Sequence, residues 1–157
     1  MFELSKEGLA FVKKEMSRYE TKRSAIIPCL FRVQQENKGW VSPACVQYLA
    51  KLMEVPEPWV QEVLTFYTMF NKEPVGKYHI QVCCNISCAM HGGRELADYL
   101  LKNLNINDAK VSPDGRYTLS RVECLGSCGT APMMQVNDDY YENLTPQSAV
   151  KILKNLE

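Results

Sequence analysis

A chain of 157 residues that is 46% hydrophobic and 23% charged can bury a substantial core, as one domain or as two small ones. Its 18 basic and 18 acidic residues cancel, so nothing marks a polybasic nucleic-acid surface. The first residues read as neither a secretory nor a transit signal, and no apolar run nears the ~18 residues a bilayer span needs. The seven cysteines are therefore expected to serve metal or redox chemistry in a soluble, intracellular protein.

The first half reads as four short helices. Leu9, Val12, Met16 and Tyr19 recur at helical spacing behind Ser5, a candidate N-cap. A second helix fits residues 25–37, with Pro28 tolerated in its first turn and Gly39 as a stop. The third starts with Ser42 as N-cap and Pro43 at the first helical position, and carries Val46, Leu49, Ala50 and Met53. The fourth follows Pro56 and Pro58, with Trp59, Val60, Val63 and Leu64 on one side. Phe66-Tyr67-Thr68-Met69-Phe70 then concentrates aromatic surface, suited to core packing or to docking another subunit.

The polar stretch 71–76, with Pro74 and Gly76, is the expected boundary between a helical domain, 1–73, and a second domain, 74–157. Beyond it the period changes. Tyr78, Ile80 and Val82 alternate with His79, Gln81 and Cys83 as a strand does. Gly92-Gly93 precedes a helix bearing Leu96, Ala97, Leu100, Leu101 and Leu104, whose N-terminal end could face the preceding cysteines. Pro113-Asp114-Gly115 is a turn expected to join a short strand near 110–112 to one over 117–123. Residues 132–136 read as another strand, 137–139 as a turn into Tyr140-Tyr141, and Thr145 as the cap of a last helix with Val150, Leu153 and Leu156 inward. The overall expectation is α+β, a helical bundle followed by a small thioredoxin-like α/β layer.

Two cysteine groups end predicted strands in this second half: Cys83-Cys84-x3-Cys88, and Cys124-Leu125-Gly126-Ser127-Cys128. Two pairs suit a binuclear 2Fe–2S cluster, in which each iron takes two thiolates, and by ligand count they suit one all-thiolate zinc ion equally well. The small residues of the second loop let backbone N–H groups approach sulfur, as cluster sites use. A thiol–disulfide centre is the third reading, weakened by the lack of C-x-x-C. His91 forms a Cys88-x2-His91 pair and could also ligate. Cys29 and Cys45 read as small buried hydrophobes, His79 as a strand residue, and Met133 and Met134 as cover for the second loop.

Val82-Cys83-x4-Cys88-x3-Gly92 and Val122-Glu123-Cys124-Leu125-Gly126-Ser127-Cys128-Gly129-Thr130-Ala131-Pro132-Met133-Met134 resemble the thioredoxin-like 2Fe–2S ferredoxin family found in NADH:quinone oxidoreductase, respiratory complex I. The likeness continues through residues 137–145 and, in the helical half, at Gln34, Gly39-Trp40 and Thr65–Phe70. It implies that Cys83, Cys88, Cys124 and Cys128 hold a 2Fe–2S cluster. It also implies a flavoprotein partner carrying FMN and NADH, a larger iron–sulfur subunit nearby, and attachment to the cytoplasmic side of a membrane only through the complex. The small iron–sulfur subunits of NAD-linked hydrogenases and formate dehydrogenases look similar. Cys84, often threonine in the family, creates a rival pairing with Cys88, and Cys83 is preferred because it follows Val82. No G-x-G-x-x-G follows a strand and no Walker loop is present, so the chain is expected not to oxidise NADH alone.

Overall fold

The computed structural model describes residues 2–156. The chain divides into two compact units, Met1–Pro74 and Val75–Glu157, each with its own apolar core.

The first unit is built from α1 (Lys6–Arg18), α2 (Ile26–Glu36), α3 (Pro43–Met53) and α4 (Glu57–Phe66). Ser5 and Ser42 cap α1 and α3, each accepting a backbone N–H three residues on. A 3-10 turn over Lys22–Ala25 leads directly into α2, so that helix starts one residue later than its periodicity suggests. Glu36 ties the ends of α1 and α2. Its carboxylate accepts from the Ser5 N–H at 2.7 Å, the Ser5 hydroxyl at 2.8 Å and Arg32 Nε at 2.7 Å. Gly8 permits this approach, since a Cβ there would lie 2.5 Å from the Glu36 carboxylate.

Trp59 departs from the expected inward face of α4. Val60 and Leu64 are buried, whereas Trp59 turns outward and stacks under the Arg23 guanidinium, 4.8 Å from the ring centre. The aromatic run after α4 splits: Phe70 is 3% exposed in the core and Phe66 is 77% exposed. Gln34 holds the segment through both ends of its amide, donating to the Met69 carbonyl at 3.1 Å and accepting from the Asn71 N–H at 2.7 Å.

The second unit is a four-stranded sheet with the order β2-β1-β3-β4. Its strands are β1 (Tyr78–Cys83), β2 (Tyr117–Val122), β3 (Met134–Val136) and β4 (Asp139–Tyr141). β1 and β2 run parallel, with Cys83 opposite Val122, through a crossover containing α5 (Ile86–Met90) and α6 (Gly93–Leu104). β3 pairs antiparallel with the other side of β1, and β4 returns beside β3 through a hairpin with Asn137 at positive φ. α7 (Pro146–Lys154) closes the unit behind a Thr145–Ser148 capping box. The strand expected near 110–112 is reduced to one bridge, Val111 to Thr118, because Ser112 is already engaged in the following turn.

Strand alternation sorts the sheet's two faces. Tyr78, Ile80, Val82, Tyr117, Leu119, Met134 and Val136 pack with Leu96, Leu100, Ala149 and Leu153 of α6 and α7. His79, Gln81, Cys83, Ser120 and Gln135 alternate with them and belong to the opposite face.

Candidate metal centre

The parallel pairing of β1 and β2 brings both cysteine groups to one end of the sheet. The ladder runs past the strands: Cys84 N–H donates to the Val122 carbonyl at 2.8 Å and Asn85 N–H to that of Glu123 at 3.2 Å. The loops are joined again farther out, where the Ser87 hydroxyl donates to the Cys128 carbonyl at 2.9 Å.

Cys83 closes β1 and is 4% exposed; Cys88 is 2% exposed. The stretch between them is not an open loop. Asn85 caps α5, and Cys88 sits on that short helix. Cys83, Cys88 and fully buried Met133 form a small apolar cluster of their own, with Leu125 and Ala131 against it. Cys124 and Cys128 lie on the second loop and are exposed. Met134, by strand parity, packs into the main core instead, so Met133 alone of the two covers the thiols.

The four thiols associate as two pairs. The Cys88 thiol is pushed up to about 11, chiefly by burial and then by its hydrogen bond with Cys83, against a hydrogen bond from the Met133 backbone. The charge of Cys128 acts on it in the same direction as burial. The Cys128 thiol is raised first by its hydrogen bond with Cys124 and then by that neighbour's charge. Raised to about 11, Cys88 is a poor thiolate nucleophile at neutral pH. Among the described residues, no three His, Cys, Asp or Glu side chains converge closely enough to hold a single metal ion. Two thiols on each loop match the donor count of a binuclear 2Fe–2S centre and of one all-thiolate zinc ion alike.

Cys84 faces away. It continues the Tyr78–Ile80–Val82 side, packs against the main core, and its thiol approaches the Val82 carbonyl at 3.6 Å. Burial raises it, offset by Arg121. His91 Nδ1 lies 2.8 Å from the Ser87 carbonyl and donates to it. His79 hydrogen-bonds Ser120 at 2.9 Å. Cys29 and Cys45 are fully buried in the helical unit, and burial pushes the Cys29 thiol up to about 12, with the Glu15 charge adding to it.

The thioredoxin-like 2Fe–2S ferredoxin family matches residues 12–157. The chain belongs to that family. It is 41% identical over 157 residues to the E subunit of NADH-quinone oxidoreductase from Rickettsia bellii, covering 99% of this chain and 94% of that one. Subunit 2 of the NADH-quinone oxidoreductase of Thermus thermophilus is 41% identical over 145 residues, 91% and 80% of the two chains. Among solved structures, an air-oxidised NAD+-reducing NiFe-hydrogenase shares the fold, with a TM-score of 0.66 over 80% of this chain at 17% identity; the chain spans 22% of that one.

The residues fit the cluster for which this ferredoxin family is named. Besides the thiol pairs, the Gly126 N–H approaches Cys124 Sγ at 3.4 Å, in a loop where Gly126 takes φ +83°. Gly93 opens α6 hard against the first pair: a Cβ would lie 2.6 Å from the Cys83 carbonyl oxygen and 2.8 Å from that of Cys88. Three further residues join the site without any local mark in the sequence: Ser87, Tyr140 and Glu142. Tyr140 donates to the Leu125 carbonyl at 2.7 Å, and Glu142 accepts from the hydroxyls of Ser127 and Thr130.

Proposed function

We propose that Cys83, Cys88, Cys124 and Cys128 hold one 2Fe–2S cluster, and that the chain is the small electron-transfer subunit of an NADH–quinone oxidoreductase. The observation that carries this reading is the juxtaposition of two thiol pairs from two loops at the end of one parallel strand pair. Its partner in this reading is a flavoprotein subunit binding FMN and NADH, with a larger iron–sulfur subunit nearby. Residues 1–73 form a helical attachment domain, residues 74–157 the ferredoxin domain, and the assembly sits peripherally on the cytoplasmic side of the membrane. Among the described residues no helix is long and apolar enough to cross a membrane.

When bound, such a cluster supplies one-electron exchange, so the two electrons of a hydride must be divided at a flavin on another chain. The contribution of this chain is to fix four thiolates, to keep water from one side with Met133, and to present the Gly126 N–H to sulfur, which stabilises negative charge there. No described residue of the site is arranged as a nucleophile with a base.

The test is anaerobic reconstitution of the full chain with ferrous iron and sulfide. Iron and acid-labile sulfide in equal amounts, a red-brown spectrum and an EPR signal on reduction are expected. A colourless protein that takes zinc and no sulfide overturns the proposal. Co-purification with untagged neighbours tests the host complex.

A further inference from the structure

The second cysteine loop is held from within by Ser127 and Thr130, whose hydroxyls lie 2.7 Å apart, and by the Gly126 N–H on Cys124 Sγ. It carries Gly126 at φ +83° and Gly129, and around neither glycine would an added Cβ meet any atom within 4 Å. Cys124 and Cys128 are exposed, so no core packing fixes their side chains. Beyond the Ser87 hydroxyl on the Cys128 carbonyl, the loop is gripped from β4 and the residue after it. Tyr140 lies on β4 and Glu142 one residue beyond its end, and both side chains reach the loop. The Tyr140 hydroxyl donates to the Leu125 carbonyl at 2.7 Å, on one side of Gly126. The Glu142 carboxylate accepts from the Ser127 hydroxyl, on the other side, and from the Thr130 hydroxyl at 2.7 Å. The backbone adds Asn143 N–H to the Thr130 carbonyl at 2.8 Å.

We infer that, with the four cysteines holding the cluster as proposed, Tyr140 and Glu142 are positioning residues for the metal centre. Together they clamp the loop on both sides of Gly126, and so set where Cys124 and Cys128 stand and how the Gly126 N–H meets sulfur. Each acts through a neighbour, Tyr140 through Leu125 and Glu142 through Ser127 and Thr130. The hydrogen bond from Ser127, and then that from Thr130, hold the Glu142 carboxyl below its ordinary value, which fits a carboxylate engaged by both hydroxyls.

The test uses Y140F, which removes only the hydroxyl, with E142A and E142Q, which remove and retain an acceptor oxygen. In the metal-free full chain, hydrogen exchange of amides 125–130 is expected to accelerate by roughly two- to tenfold in Y140F and E142A, the factor for losing one ordinary hydrogen bond. The thermal midpoint should stay that of the wild type, and E142Q should recover most of the protection. In the reconstituted chain, Y140F and E142A should displace the midpoint potential and broaden the EPR signal, with E142Q closer to wild type. Wild-type exchange rates together with wild-type potential in Y140F and E142A overturn the clamp. A wild-type chain that takes up no cluster overturns the four-cysteine reading instead, and the exchange rates of the metal-free variants still decide the clamp.

Discussion

At the scale of single residues the decisive distinction is between Cys83 and Cys84. Adjacent positions on a strand point to opposite faces, and here parity sends Cys83 to Cys88 and Met133 while Cys84 joins the main core. Cys83→Ser is therefore expected to abolish normal cluster assembly and Cys84→Ser to leave it intact, measured by labile sulfide and EPR; the reverse pattern would refute the assignment. Gly93 offers a second test. Its missing Cβ leaves room for the carbonyls of Cys83 and Cys88, so Gly93→Ala should destabilise the unit by roughly 1–3 kcal/mol in urea melts, the usual cost of overpacking. Gly129→Ala, which meets nothing within 4 Å, should melt like the wild type. That both cysteine groups end strands was legible in the sequence, because the strand period and the flanking glycines are local. Glu142 was not, because its partners Ser127 and Thr130 become neighbours only through the sheet.

Among the elements, those with a full period and a chemical start signal were legible: α3 behind Ser42-Pro43 and α7 behind Thr145-Pro146. Thr145→Ala removes half of a capping box, and a loss of about 1 kcal/mol is expected in denaturant titration. α5 was missed because five residues are too few to show a helical period, although Asn85 was a usable cap signal. Trp59 was misplaced because periodicity cannot see Arg23, which stabilises the ring outside. β1 carries a pH signature of its own. Burial lowers His79 below its ordinary 6.5, so on unfolding the imidazole gains affinity for a proton. Its contribution is thus complete above about pH 6.5 and declines as the pH falls below that value. The urea midpoint of the wild type should drop between about pH 7.5 and 5.5, and that of His79→Gln should drop less. An equal drop in both would show that His79 is not responsible. The carboxylates held low, such as Asp114, lose their contribution only at more acid pH.

The whole molecule is two cores joined at Pro74 and Val75. Every residue proposed to hold the cluster belongs to the second unit, as do Met133, Tyr140 and Glu142. Residues 75–157 expressed alone should fold and reconstitute with the same EPR signal as the full chain, and should fail to co-purify the partner subunits if the helical unit attaches them. A fragment that remains unfolded would show that the first unit is needed for the second. The division into helical and alternating halves was visible in sequence because the hydrophobic period itself changes at the boundary.

The parallel pairing of β1 and β2 also imposes an order in time. Each thiol pair is local in the chain and exists as soon as its loop is made. The two pairs meet only after the crossover through α6 has closed and β2 has paired with β1. An unfolded chain therefore carries two separate thiol pairs, and only the finished fold brings both to one end of the sheet. With the four cysteines holding the cluster as proposed, the folded apoprotein is the expected acceptor for it.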